Sequence, residues 1–282
     1  MAKDEDVSPV PKFNLSRAEY LEMDPVEFRA RFRERLHHTL EIQTYAAIHE
    51  GKTLGPTQTA TVENLLDLWH ERGLPTNLPD YRWGGEILQF AKKAQAGEKV
   101  DLSPYETRPV GEDEYQSFKR IVEERRSVRH WSSKKVPDSI IDEILLAGTW
   151  GAHSCNLQSL RFAVVREDNE PGLFRGADIP GGPVHLVALQ DERVYKANPL
   201  NPIRNRLIDV GAAVQNMALA AHALGLGGVW LTFSDAMLER LYKRFKLPKE
   251  VKIVTYLDVG YPAQSPVAPG RLDLKETVLV KI

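Results

Sequence analysis

The segment 207–224 constrains the fold more than any other part of the chain, because its apolar residues cover most of a helical circumference instead of one stripe. A helix of that kind is buried on several sides. Gly211, Ala212 and Ala213 within it leave room for close neighbours. Around it, helical and extended segments alternate. Phe118, Ile121 and Val122 mark one helical face, and Pro137 opens a second helix carrying Ile140, Ile141, Ile144 and Leu145. Short apolar runs rich in β-formers predict strands at 160–165, 184–189, 228–233 and 253–259. Ser234 caps a helix between the last two, and the β-rich residues 276–282 predict a further strand elsewhere.

The first hundred residues have a different character. Residues 1–12 carry charges and two prolines without a periodic apolar face, the pattern of a mobile tail. Asp24, Pro25 and Glu27 supply the N-cap, first-turn proline and capping glutamate of a helix, followed by Phe28, Phe32, Leu36 and Leu40 at four-residue spacing. Arg29, Arg31, Arg33 and Arg35 fall mostly off that stripe and alternate with Glu34, which predicts a solvated charged face. Val62, Leu65, Leu66 and Trp69 mark a second helix that Gly73 and Pro75 stop, and a third is expected over 86–94. Residues 101–111 hold two prolines and a glycine without a steady period, the pattern of a linker. The expected organisation is a helical N-terminal extension over 1–110 and a second domain over 111–282.

Charge narrows the function classes. The 37 basic and 39 acidic residues nearly cancel, so no global field draws the chain to nucleic acid or an acidic membrane, and any anion site is local. Cys155 is the single cysteine and has no internal disulfide partner. The start of the chain lacks the apolar region of a signal peptide, and no window approaches the roughly 20 apolar residues of a membrane span. A cytoplasmic protein with neither nucleic-acid nor membrane partners is expected.

Two local features can carry chemistry. Arg125-Arg126-Ser127-Val128-Arg129 sets three guanidiniums and a hydroxyl at the end of a predicted helix. Planar bidentate donors match phosphate oxygens, although basic residues also favour helix C-termini. The second is the loop 151–162, in which Ser154, Asn156 and Gln158 recur at two-residue intervals. In an extended segment that spacing puts them on one side, and amides that both donate and accept suit the edge of a heteroaromatic ring. Turn chemistry by Ser and Asn is the competing explanation.

These features, with Val136-Pro137, the helix from Asp209 through Gln215 to Leu226, and Val259-Gly260-Tyr261-Pro262, resemble the nitroreductase family in order and spacing over residues 115–282. The resemblance implies an α+β fold with a central mixed, mainly antiparallel sheet flanked by helices. It also implies a homodimer with shared active sites at the subunit interface and a non-covalent FMN in each. By the same resemblance Arg125, Ser127 and Arg129 contact the FMN phosphate and ribityl chain, with Arg126 beside them and Arg271 reaching the phosphate from the C-terminal side. Asn156 meets the ring edge, and Ser154 and Gln158 lie in the same loop. His153 and Ser159-Leu160 depart from the family pattern of prolines and tryptophan around this loop. No Glu-Gly pair follows Gly227-Gly228-Val229-Trp230-Leu231-Thr232-Phe233, and that run is similar to the iodotyrosine deiodinase branch, in which a threonine at the position of Thr232 hydrogen-bonds the flavin N5. Leu231 and Thr232 therefore join the expected cofactor contacts. A donor at N5 biases a flavin towards single-electron steps.

The implied activity is an FMN-dependent oxidoreductase that takes electrons from NADH or NADPH and passes them to small aromatic acceptors such as nitroaromatics or quinones. The transfer is ping-pong through the flavin. A reductive dehalogenase or another specialised flavin reductase tuned by Thr232, and a non-catalytic flavin-binding or sensory protein, are the alternatives. His153 is a candidate proton donor or a loop-bonding residue, and Cys155 reads as a small packed residue. His37 and His38, adjacent on a helix, are expected to point apart. The histidines show no HExxH or paired Cys/His spacing, so no metal site is expected. Gly225, Gly227 and Gly228 follow a helix and precede a strand, the reverse of a dinucleotide fingerprint.

Overall fold

The computed structural model describes residues 15–176 and 181–282; the tail expected over 1–12 lies outside them. The first hundred residues are helical. Ser16 and Glu19 form a capping box on α1 (Arg17–Glu22), and Asp24 accepts from the backbone of Val26 and Glu27 to start α2 (Pro25–Arg35). The backbone stays helical through a π-helical turn, Leu36–Glu41, into α3 (Ile42–Glu50), where Gly51 at φ +67° ends the rod. With α4 (Pro56–Glu71) and α5 (Pro79–Gln95), it closes a core around Phe28, Phe32, Leu36, Leu40, Trp69 and Ile87. α5 starts seven residues before the helix expected over 86–94, with Pro79 in its first turn, because Gly84 and Gly85 mask its period. Gly84 has a packing reason: a Cβ there would lie 2.4 Å from Cζ of Phe32.

Two expectations for this rod change. The arginine face is not solvated throughout: Arg33 is 4% exposed and Glu27 and Glu34 are also buried, while Arg29 keeps part of its side chain exposed. α2 is covered on both sides, by the helical core and by the short 3₁₀ segment Glu192–Ala197, where Ala30 packs with Leu157, Val194, Tyr195 and Ala197. His37 and His38 do not point apart. In the π-helical turn their ring centroids are 4.9 Å from each other, and each Nδ1 meets a carboxylate one turn away, Glu41 and Glu34.

After the linker come α6 (Glu112–Glu124), α7 (Asp138–Thr149), β1 (Leu160–Arg166), β2 (Val184–Asp191), α8 (Ile203–Ala223), β3 (Gly227–Leu231), α9 (Asp235–Phe245), β4 (Val251–Gly260) and α10 (Leu274–Thr277). Among the described residues the sheet order is β1-β2-β4-β3 with every strand pair antiparallel, and a single parallel bridge joins Ser127 to Gly228. The fold is α+β. On one face of the sheet, Leu186, Ala188, Leu257 and Val259 pack against α7 and α8 through Ile144, Val210, Val214 and Met217. On the other, Val187, Leu189, Ile253 and Tyr256 pack against Met237 and Leu241 of α9. Cover on both faces accounts for the near-continuous apolar run of β2, in which only His185 interrupts residues 184–189.

Three apolar expectations end differently. α8 is buried on one side, but Leu207 and Ile208 stay 62% and 61% exposed. On α6, Phe118 and Val122 stay 57% and 43% exposed among the described residues. Residues 276–282 form no strand here: α10 ends at Thr277, and Val278, Leu279 and Val280 stand exposed. Strand propensity is expressed only where a partner edge is reached, and among the described residues the terminus pairs with none.

The two adjacent glycines of α5 give a paired test by urea denaturation. Gly85→Ala, with nothing within 4 Å of the new Cβ, is expected to stabilise by about 0.5–1 kcal/mol. Gly84→Ala pushes against a fully buried ring and is expected to cost about 1–3 kcal/mol. Equal effects at the two positions contradict the packing described.

Candidate functional site

α6 ends at Arg125, whose backbone leaves the helix so that residues 126–129 run beside β3. Val128 N donates to Gly228 O at 3.1 Å. The approach is so close that a Cβ on Gly227 would sit 2.5 Å from Val128 Cγ2. Arg125, Arg126 and Arg271, with Val122, Ala268 and Pro269, then line a cavity of about 390 Å³ whose rim includes Glu123. Glu123 pairs with Lys119, and Arg126 Nη1 donates to Glu123 O at 2.5 Å. The half-buried Arg125 guanidinium has no ion pair or hydrogen bond among the described residues, and burial, then Arg271 and Arg126, lower its pKa. Three converging cations, none of them ion-paired among the described residues, suit a phosphate, because a multiply charged anion offsets both the repulsion and the desolvation. Ser127 is half-buried beside them, and Arg129 extends into solvent with its backbone N–H on Gln264 Oε1 at 3.3 Å.

The loop after α7 is a second polar group. Gly151 presses on α8, where a Cβ would lie 2.9 Å from the backbone of Ala213. His153 Nδ1 sits 2.7 Å from Gly151 O, a distance that places the ring proton on Nδ1 and leaves Nε2 buried without a partner among the described residues. Ser154 donates from both its N–H and its hydroxyl to Asp209 Oδ1, at 3.0 and 2.9 Å. Asp209 is 2% exposed, and its other oxygen lies 3.4 Å from the Tyr195 hydroxyl, which also reaches Ser159 Oγ at 2.9 Å.

From Ser154 the chain does not continue extended, so the one-sided spacing of Ser154, Asn156 and Gln158 does not hold. Ser154–Asn156 is a 3₁₀ turn, and Cys155, Asn156 and Gln158 have φ of 53°, 50° and 55°. Left-handed backbone at non-glycine residues costs about 1–3 kcal/mol each and persists only where its surroundings enforce it. The enforcing group is Arg33 of α2. Its Nε donates to Asn156 O at 3.3 Å, its Nη2 to Leu157 O at 2.8 Å and its Nη1 to Asp80 Oδ2 at 3.1 Å. Burial pulls this guanidinium down to about 10, against the opposing field of Asp80. Gln158 Nε2 donates to Asn156 Oδ1 at 3.0 Å, and Asn156 Nδ2 keeps no partner among the described residues. Cys155 packs under the turn with Asn198 Nδ2 3.5 Å from its Sγ, and burial, then Glu34, push its thiol pKa up.

Thr232 lies one residue beyond β3, not inside a strand reaching 233, because pairing with β4 stops at Leu231. Trp230 Nε1 donates to Thr255 Oγ1 at 2.6 Å, which donates to Leu231 O at 2.5 Å. The end of β3 is therefore fixed, and the exposed Thr232 hydroxyl has no partner among the described residues.

The structure brings Arg125, Arg126 and Arg271 together, with Ser127 next to them in the chain and Arg129 out in solvent, and it brings Ser154, Asn156 and Gln158 together, but it separates the two groups. Ser127 adjoins one edge strand at the Gly228–Val259 level, while the loop enters the opposite edge strand at the Leu160–Gln190–Lys252 level. That is about 14 Å across the sheet and about 23 Å along it. Arg33, Asp209 and Trp230 are site-building residues that sequence reasoning missed. Asp209 alone left a signal, a lone carboxylate within an otherwise apolar helical turn. Among the described residues no group of three His, Cys, Asp or Glu side chains is placed to hold a metal.

The nitroreductase family model matches residues 122–179 and 172–261. A Methanothermobacter thermautotrophicus protein described as an NADH dehydrogenase/NAD(P)H nitroreductase is 31% identical over 160 residues, covering 54% of this chain and 80% of that protein. The FMN reductase [NAD(P)H] of Bacillus subtilis is 25% identical over 169 residues, covering 53% of this chain and 67% of that protein. A nitroreductase from Desulfovibrio desulfuricans crystallised with FMN superposes with a TM-score of 0.51 at 29% identity, over 58% of this chain and 96% of that one.

Two outcomes follow for the loop. Arg33→Met, which leaves the carbonyls of Asn156 and Leu157 unpaired, is expected to cost about 3–5 kcal/mol in urea and to abolish amide-exchange protection over 155–159; unchanged protection there contradicts its role. The Cys155 thiol is expected to react with iodoacetamide more slowly at pH 8 than a free thiol, and faster reaction contradicts its packing.

Proposed function

The chain belongs to the nitroreductase family, and from that premise we propose that it holds FMN and uses NADH or NADPH to reduce small aromatic acceptors such as nitroaromatics or quinones. The observation that carries the reading is the cavity of Arg125, Arg126 and Arg271, in which the half-buried Arg125 guanidinium has no ion pair among the described residues. Arg125, Ser127, Arg129 and Arg271 hold the phosphate and ribityl end, with Arg126 braced on Glu123 O beside them. Asn156 offers its unpaired Nδ2 to the ring edge. Ser154 stands close by, with its hydroxyl fixed on Asp209, and Gln158 orients the Asn156 side chain. Leu231 flanks the ring, and Thr232 offers its free hydroxyl to N5.

When bound, FMN supplies hydride and electron transfer, so the protein needs no side-chain nucleophile. The chain's own residues orient the cofactor and shape its surroundings. His153, committed through Nδ1 to Gly151, fixes the loop and is not the proton source in this reading.

A homodimer with shared sites is supported by the two polar groups at opposite corners of the sheet, which face one flavin when they come from different copies. The unburied Leu207, Ile208 and Phe118 supply apolar surface for such a contact. A second reading, reductive dehalogenation or another specialised reduction, is favoured by Thr232 alone, whose hydroxyl is free at the fixed end of β3. No described helix is long and apolar enough to cross a membrane. We place the protein in the cytoplasm.

The purified protein is expected to be yellow with FMN and to oxidise NAD(P)H rapidly when a nitroaromatic or quinone is added. A colourless protein that takes up no added FMN contradicts the proposal. Arg125→Gln removes charge-assisted bonds to the phosphate and is expected to weaken FMN binding about tenfold to a hundredfold, read by flavin fluorescence on titration.

A further inference from the structure

A second cationic cavity lies where the helical extension meets the loop, and nothing in the phosphate site uses it. Pro25, Val26, Arg29, Arg33, Gln158 and Arg161 line about 380 Å³. Three guanidiniums line it, from Arg29, Arg33 and Arg161, and a fourth, Arg193, is linked to them through Asp191, against two buried carboxylates. Asp80 is shared by Arg29 (2.8 and 3.0 Å) and Arg33 (3.1 Å). Asp191 is gripped by Arg193 at 2.7 Å and stands 3.7 Å from Arg161. The half-exposed Asp24 pairs with Arg193 on the outer side, which still leaves one cation in excess.

The donors are as informative as the charge. Arg33 spends its nitrogens on Asp80 and the loop carbonyls. Arg161 Nη1 is spent on Gln158 O and Leu160 O. Arg29 Nη1 and Arg161 Nε make no hydrogen bond among the described residues, and both side chains are about two-fifths exposed towards the opening. Pro25 and Val26 add an apolar wall, and Gln158 connects the cavity to Asn156 through its amide. A planar ring carrying one anionic group matches this lining: the ring lies against Pro25 and Val26, and the anion takes the free donors of Arg29 and Arg161.

We propose that this cavity is a specificity subsite that holds the carboxylate of an aromatic carboxylate acceptor while its reducible group faces the flavin-ring side of Asn156. This deepens the oxidoreductase reading and rests on it for turnover, but not for binding. The chain therefore prefers anionic aromatic acceptors to neutral ones of the same size, and the helical extension supplies that preference.

The test compares kcat/KM for 4-nitrobenzoate and nitrobenzene on the full-length protein as purified. Benzoate is titrated calorimetrically into the same samples. Arg29→Gln keeps Asp80 paired to Arg33, and Arg29→Lys keeps the charge. The expected result is a carboxylate-to-neutral ratio that falls about tenfold to a hundredfold in Arg29→Gln, recovers in part in Arg29→Lys, and shrinks with added salt. Benzoate binding is expected to weaken in parallel. Turnover of both acceptors with a ratio unmoved by Arg29→Gln overturns the subsite and leaves the flavin reading standing. A protein without flavin or turnover sinks that reading instead, and benzoate binding then decides the subsite: loss of binding in Arg29→Gln upholds it, and absence of binding in the unmodified protein overturns it.

Discussion

Arg33 carries its charge into a place from which water is excluded, and three acceptors from two parts of the chain meet it there: Asp80 of α5 and the carbonyls of Asn156 and Leu157. A buried guanidinium is tolerated only when paired and fully hydrogen-bonded, so the helical rod and the loop are placed together. The strained backbone at Cys155, Asn156 and Gln158 needs such a constraint, since left-handed conformations relax when nothing holds them. Ser154 anchors the same loop from below on Asp209 of the central helix. The first hundred residues are thus tied by hydrogen bonds to the polar loop, and by Ala30 to the core beneath it.

Much of this architecture was legible because it depends on local periodicity. The strands at 160–165, 184–189 and 253–259 fall within two residues of β1, β2 and β4, and Asp24 with Pro25 marks the start of α2. Glycine hid α5, since Gly84 is chosen for the ring of Phe32 and not for helix propensity. Charge hid Arg33: four arginines at alternate positions have the same composition whether they face water or a loop 123 residues away. The extended reading of 154–158 failed for a related reason. Spacing assigns a side only when the backbone is known, and three left-handed residues are visible only once Arg33 and Asp209 are in place. The arginine cluster at 125–129 stood out as a local run of guanidiniums, and only the family resemblance set Arg271 beside it, because periodicity does not show the return of the C-terminal segment that brings Arg271 to the cavity of Arg125 and Arg126.

The arginine-lined cavity and the loop sit at diagonal corners of one sheet, and the apolar faces of α6 and α8 stay open beside them. Each corner is built without the other. The guanidiniums converge through the tight β3 approach at Gly227, and the loop is shaped by α2 and α8. In the proposed enzyme a flavin joins these halves across two copies, so cofactor binding and assembly support one another. The extension, braced against the loop half, then stands beside the ring and not beside the phosphate, where it bears on acceptor choice.

Subunit complementation tests that arrangement most directly. One variant carries Arg125→Gln with Arg271→Gln, the other Asn156→Ala with Ser154→Ala, and each alone is inactive. If each flavin lies between halves of different copies, unfolding and refolding an equal mixture restores about a quarter of the original activity, because half the dimers are mixed and each of these has one intact site. A mixture that stays as inactive as its components contradicts the shared site and with it the central account.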